Sequence, residues 1–149
     1  MMNQESQSSN LTTLKFYNET GLDIEENITS DNKSVTAGAY GSAKDTALLM
    51  ALLWKTYPLQ LEITARKDAR IVSQDGVAHV LPNTNEALGH FSGMIASKTG
   101  YTDLAGGNLA IIFDVGIGHP VIAVVLGSTY KGRFEDMEKL TDATLKALK

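Results

Sequence analysis

Gly93-Met-Ile-Ala-Ser-Lys98-Thr99-Gly100-Tyr101-Thr-Asp103-Leu-Ala-Gly106-Gly107-Asn-Leu-Ala-Ile-Ile-Phe113 carries two apolar runs separated by glycines. It reads as strand, sharp turn, strand. Gly93 to Lys98 is a short apolar run ended by Thr99-Gly100, and Leu109 to Val115 is a second, denser one; the glycines between them mark the reversal. A lysine, a hydroxyl and a glycine in succession suit a sheet edge that holds an anionic, peptide-like ligand. The Lys98 ammonium attracts a carboxylate and the Thr99 hydroxyl donates to it. Gly100 lets a ligand backbone lie close against the strand.

Outward from this stretch, Val121 to Leu126 follows on the short connection Gly116-Ile-Gly-His-Pro120, so it pairs antiparallel with Leu109–Val115. Both runs are apolar on consecutive residues, which requires cover on both sheet faces. Phe134, Met137, Leu140, Thr144, Leu145 and Leu148 then space out a terminal amphipathic helix, with acids Glu135 and Asp136 early and lysines Lys146 and Lys149 late. Upstream, Ser42 caps a helix whose stripe is Leu48, Leu49, Leu52 and Leu53, with Asp45 completing a capping box and Thr56-Tyr57-Pro58 ending it. Leu61–Arg66 and Ala69–Val72 read as minor strands, with Gln74-Asp75-Gly76 as a turn. Asn18 to Gly38 reads as loop, mobile between Asn27 and Ser34, and Met1 to Asn10 as the tail of a helix.

A chain of 149 residues fits one domain, taken as 1–149 with no internal repeat or boundary. The net charge of −4 argues against nucleic acid, which needs a basic surface. No cysteine is present, so disulfides and thiol chemistry are excluded. The polar opening Met1–Asn10 is no signal peptide and no apolar run reaches bilayer length. No metal, phosphate-loop or cofactor motif is present, and His79, His90 and His119 lack ligand spacing, so no cofactor is expected.

Lys98-Thr-Gly-Tyr-Thr-Asp103-Leu-Ala-Gly106 closely resembles the third motif of the D-alanyl-D-alanine carboxypeptidases, the low-molecular-mass penicillin-binding proteins. Gly127-Ser-Thr-Tyr-Lys131-Gly132-Arg133-Phe-Glu-Asp-Met-Glu-Lys-Leu140 is similar to that family's last strand and terminal helix. Phe16-Tyr-Asn18-Glu-Thr-Gly21-Leu22-Asp23, Tyr40-Gly41-Ser42-Ala-Lys-Asp45 and Asn83-Thr-Asn85 resemble its middle segments, in order. The resemblance implies an α+β fold of the penicillin-binding protein/β-lactamase type: an antiparallel sheet flanked by helices, lacking the N-terminal part of the domain.

It also implies serine acyl transfer on peptidoglycan stem peptides ending in D-Ala-D-Ala, inhibition by β-lactams, and a place in the cell envelope, the missing signal then pointing to a missing front end. Position by position, Lys98 would support substrate and proton transfer, and Thr99 would contact the terminal carboxylate, with Gly100 giving clearance. The backbone amide of Tyr101 would be one oxyanion-hole donor, and Arg133 would help fix the carboxylate end. Asp103 would tie down the turn. Thr84 stands where some relatives carry an arginine. The family's Ser-x-x-Lys and Ser-x-Asn both precede the segment where this chain begins. The literal matches Ser30-Asp-Asn-Lys33, Ser128-Thr-Tyr-Lys131 and Ser8-Ser-Asn10 read as decoys. The expected activity is therefore serine-type carboxypeptidase by family, with this segment inert by itself. The alternatives are a catalytically inactive D-Ala-peptide-binding module or half of a β-lactamase-like hydrolase. Apolar side chains of Leu109–Val115 and Val121–Leu126, bared by the missing part, would drive self-association.

Overall fold

A computed structural model describes residues 1–148 except 29–31 and 117. Along the chain run α1 (Met2–Ser8), β1 (Lys15–Phe16), β2 (Ile24–Ile28), β3 (Asn32–Thr36), β4 (Ala39–Tyr40), α2 (Ala43–Thr56) and α3 (Pro58–Glu62). A 3₁₀ turn (Ile63–Ala65) leads to β5 (Asp68–Val72), β6 (Ala78–Pro82), β7 (Met94–Thr102), β8 (Gly106–Asp114), β9 (Pro120–Ser128) and α4 (Gly132–Ala147). The central sheet has the order β7-β8-β9 and is antiparallel throughout.

The five consecutive apolar residues of β8 explain how this sheet is held. Successive side chains of a strand point to opposite faces. Leu109, Ile111 and Phe113 are therefore buried on one face with Met137 of α4, while Ala110 and Ile112 are buried on the other with Ala96 and Met50 of α2. Each large side chain so buried contributes about 1.5–3 kcal/mol. The result is a helix–sheet–helix sandwich, the α+β arrangement that the motifs imply.

Several local expectations are corrected. Thr99-Gly100 does not end the motif strand: β7 continues in register to Thr102 opposite Gly106, and the reversal falls at residues 103–105. The glycines after it serve close approach instead. A Cβ on Gly107 would stand 2.1 Å from the Thr129 carbonyl oxygen, and Gly106 has φ +66. Leu61–Arg66 is not a strand, because Pro58 occupies the first turn of α3 and the helical path runs on into the 3₁₀ turn. The Asn18–Gly38 loop contains the antiparallel hairpin β2–β3, whose polar composition hides any apolar alternation. Of the expected mobile excursion from Asn27 to Ser34, residues 29–31 lie outside the described residues.

The helices are rotated from their expected faces. On α2, Met50 is buried with Trp54 packed beside it, while Leu48 and Leu52 are exposed. On α4 the inward positions are Arg133, Met137, Thr141 and Leu145, four residues apart, and Leu140 and Leu148 are exposed. The capping box forms by half. Ser42 Oγ accepts from the Asp45 amide, but the Asp45 carboxylate takes the Thr13 amide at 2.8 Å and the Thr13 hydroxyl at 2.7 Å. That link fastens the β1 segment to α2. The expected bare sheet face is also absent from β8, whose Leu109–Phe113 side chains are all buried. On β9 the expectation holds in part, since Val121, Ile122, Val124 and Val125 are half-buried and Leu126 is exposed. Further exposed apolar surface lies on the helices and the β5–β6 hairpin, at Leu48, Leu52, Leu59, Val72 and Val80.

Candidate functional site

The direction of the β7 backbone can be worked out from one hydrogen bond. The Ser97 amide donates to Thr64 Oγ1 at 3.0 Å, so it faces away from β8. Pairing is unbroken from Ala96↔Ile112 to Thr102↔Gly106. Backbone direction alternates residue by residue along a strand. The amides and carbonyls of Thr99 and Tyr101 therefore face the open edge, and those of Gly100 face β8.

Against that edge lies a cavity of about 470 Å³, lined among others by Thr84, Lys98, Thr99, Gly100, Tyr101 and Arg133. The ammonium of Lys98 curls onto the Thr99 carbonyl, keeping its charge at the edge. Thr99 Oγ1 shares a 2.6 Å hydrogen bond with Thr84 Oγ1. Thr84 is itself fixed by its neighbours. Asn83 Nδ2 donates to the carbonyls of Thr64 and Arg66 at 2.9 Å each, and Asn83 Oδ1 accepts from the Asn85 amide. Asn85 is buried and its Oδ1 accepts from the Ala87 amide at 3.1 Å. The Asn83-Thr84-Asn85 turn thus forms a second wall beside the motif strand.

Arg133 enters from the first turn of α4. It is only 2% exposed, and Nη1 donates to the Gly100 carbonyl at 2.9 Å. Its guanidinium lies 4.5 Å from the Tyr130 ring centre and 4.7 Å from that of Phe134. Tyr130 in turn meets Tyr101 edge-on, with centres 5.1 Å apart. Lys98, Thr99, Gly100, Tyr101 and Arg133 are therefore brought together at one sheet edge.

The far side of the cavity was not foreseen as a site wall. Thr20, Gly21, Leu22 and Ala39 line it. Asn18 builds this turn: its Oδ1 accepts from the Thr20 amide, the Thr20 hydroxyl and the Gly21 amide, and its Nδ2 donates to the Leu22 carbonyl. The Asn18…Gly21 spacing, with Gly21 at φ +73, was the available signal. Asp103 sits with Oδ1 3.4 Å from the Tyr101 hydroxyl, and the Ala105 amide donates to Thr102 Oγ1 at 3.0 Å.

The serines outside this edge are engaged elsewhere. Ser97 is buried, its hydroxyl donating to the Thr64 carbonyl. Ser128 Oγ donates to Asp136 at 2.7 Å, a bond that holds the Asp136 carboxyl below the usual carboxylate range. Ser8 Oγ donates to the Glu5 carbonyl within α1. Ser30 lies outside the described residues. Among the described residues no group of three or more His, Asp or Glu side chains is placed to hold a metal, and no helix is long and apolar enough to cross a membrane.

Comparison with known proteins agrees with the motif reading. The family model described as D-alanyl-D-alanine carboxypeptidase matches residues 1–129. The chain is similar to penicillin-binding protein D2 of Listeria monocytogenes in its cefotaxime-bound form, with TM-score 0.69 and 30% identity over 95% of this chain and 52% of that one. The ampicillin-bound form of the same protein gives TM-score 0.70 and 30% identity over 95% and 53%. A peptidoglycan synthesis regulatory factor of Streptococcus pneumoniae, PBP3, gives TM-score 0.74 and 29% identity over 95% and 44%. The chain thus spans about half the length of these proteins. It belongs to the D-alanyl-D-alanine carboxypeptidase family.

Proposed function

We propose that this chain supplies the sheet wall of a serine-type D-alanyl-D-alanine carboxypeptidase that acts on peptidoglycan stem peptides in the cell envelope. The acyl-enzyme would form on a serine contributed from outside these 149 residues. The observation that carries the reading is the open β7 edge, where Lys98, the Thr99 hydroxyl and the outward amides of Thr99 and Tyr101 meet one cavity. A D-Ala-D-Ala terminus offers a carboxylate and an extended backbone, and this edge offers the complementary groups. Lys98 supplies the charge, Thr99 donates to the carboxylate, and Gly100 leaves room for the peptide to lie flat. The Tyr101 amide points where the oxygen of a tetrahedral intermediate needs a donor. Arg133 adds positive charge from beneath Gly100. β-Lactams, whose ring amide and carboxylate mimic that terminus, occupy the same place.

A second reading, a catalytically inactive module that binds D-Ala-ended peptides, is favoured by the engagement of Ser97 and Ser128 in other hydrogen bonds. The half-β-lactamase reading has less support, since the matching family model is that of the carboxypeptidases.

The test is titration of the labelled chain with diacetyl-lysyl-D-Ala-D-Ala, followed by amide shifts. Shifts concentrated at Thr99 to Tyr101 are expected. Lys98→Met should weaken binding about 10- to 150-fold, the worth of a hydrogen bond to a charged group. Shifts elsewhere on the surface, or none, would remove the reading. Mass spectrometry after incubation with ampicillin should show no covalent adduct on this chain. An adduct at Ser128 or Ser30 would show instead that the chain carries its own nucleophile.

A further inference from the structure

We propose that Arg133 is a positioning residue that aims and strengthens the Tyr101 amide. This rests on the reading of the β7 edge as the ligand wall, and it assigns to Arg133 a role that needs no contact with the ligand. A single peptide unit joins Gly100 to Tyr101. No cis peptide bond occurs among the described residues, so the carbonyl and amide of that unit point in opposite directions. The Gly100 carbonyl faces inward, where Arg133 Nη1 donates to it at 2.9 Å. The Tyr101 amide of the same plane therefore faces the cavity. This bond thus fastens a peptide plane whose direction the β7–β8 ladder gives independently.

Burial makes that bond unusually committed. A guanidinium at 2% exposure must find partners inside the protein, and the Gly100 carbonyl is the acceptor it takes. Nε is buried without a hydrogen-bond partner among the described residues. The flat cation lies against the rings of both Tyr130 and Phe134, which restrict the fork. A charged donor on a carbonyl draws electron density from the amide nitrogen and makes its N–H a better donor. Thr99, two residues earlier on the same edge, is the internal control. Its outward amide belongs to the Lys98–Thr99 peptide, to whose carbonyl no side chain of the described residues donates.

The arrangement also explains why α4 must begin where it does. Gly132 admits the close turn at Thr129, whose hydroxyl accepts from the Gly132 amide at 2.9 Å. That turn delivers residue 133 beneath the strand.

The experiment is solution NMR on the ¹³C,¹⁵N-labelled chain, with Arg133→Met and Arg133→Lys as variants and diacetyl-lysyl-D-Ala-D-Ala as the probe. In Arg133→Met the Gly100 carbonyl carbon and the Tyr101 amide proton should both move upfield while the Thr99 amide stays in place. Arg133→Lys should restore part of the shift. Peptide affinity should fall about two- to tenfold in Arg133→Met, the range of one weakened hydrogen bond. Should Arg133→Met fail to fold, a through-bond coupling between Arg133 Nη1 and the Gly100 carbonyl carbon is sought in the unsubstituted chain. Its absence overturns the proposal. So does a Tyr101 amide that does not respond to Arg133→Met or Arg133→Lys, or one that moves only as far as Thr99. If the unsubstituted chain binds no peptide, the functional reading fails but the shifts at Gly100 and Tyr101 still decide the role of Arg133.

Discussion

Replacing Thr64 by valine tests the hydrogen bond from which the direction of the whole ligand edge follows. Thr64 sits in the 3₁₀ turn after α3 and touches β7 in two ways. Its hydroxyl accepts from the Ser97 amide at 3.0 Å and donates to the Leu61 carbonyl at 2.6 Å. Its carbonyl accepts from Ser97 Oγ at 2.9 Å and from Asn83 Nδ2 at 2.9 Å. Valine keeps the volume and both carbonyl bonds but leaves the Ser97 amide without an acceptor. Ser97 is only 4% exposed, so water restores that bond poorly. An orphaned buried donor costs about 1–3 kcal/mol, and the lost Leu61 bond about 0.5–1.5 more. The extra methyl offsets about 0.8 kcal/mol. The net expectation is a loss of about 1–3 kcal/mol, or about 2–12 °C in Tm for a chain of this size. Urea and thermal unfolding measure the loss, and hydrogen exchange locates it, with the Ser97 amide exchanging faster. Stability within about 0.5 kcal/mol of the unsubstituted chain, with Ser97 exchange unchanged, would refute the assignment. The outward direction of the Thr99 and Tyr101 amides would then rest on the Arg133–Gly100 bond alone.

Other outcomes follow from the packing and the caps. Met137→Ala opens a cavity beneath Leu109 and Ile111, where Met137 is fully buried, and should cost about 2–5 kcal/mol in urea unfolding. Gly107→Ala sets a Cβ against the Thr129 backbone, which cannot yield as a side chain would. It should destabilise by about 1–3 kcal/mol and lower peptide affinity through the displaced Arg133 turn, read by the same unfolding and titration assays. Asp45 gives a pH test. The Thr13 amide, then the Thr13 hydroxyl, hold its carboxyl below the usual range. Its folded-state value thus lies below the unfolded one of about 3.9. The stabilisation is present above ~pH 4 and is lost as pH falls through the folded-state value. Asp45→Asn should flatten that acid limb of the stability curve between ~pH 5 and ~pH 2, and an unchanged limb would count against the Asp45–Thr13 link.

Features written in consecutive residues can be read without the fold. The apolar run Leu109–Phe113 required cover on both faces, and the short connection before Val121 required an antiparallel partner. The order of Lys98-Thr-Gly, Lys131-Gly-Arg133 and Asn83-Thr-Asn85 carried the family. These signals are legible because strand burial and turn chemistry depend on neighbours in the chain.

Where the strand ends and which way its groups face depend on contacts between distant segments. Thr99-Gly100 looked like a stop, because a hydroxyl and a glycine are common turn residues. The ladder to Gly106 and Asn108 carries β7 through them, since cross-strand pairing outweighs local preference. Helix faces depart from the sequence pattern for a related reason. Leu48, Leu52, Leu140 and Leu148 fit an apolar stripe, yet the faces turned inward are set by the sheet they cover and centre on Met50 and Met137. Arg133 is the clearest case. Composition places an arginine in water, and only the fold brings the Gly100 carbonyl to it from 33 residues away, while Tyr130 and Phe134 flank it in the same segment. A charge can be buried where partners converge in space, and that convergence is not written in any one segment.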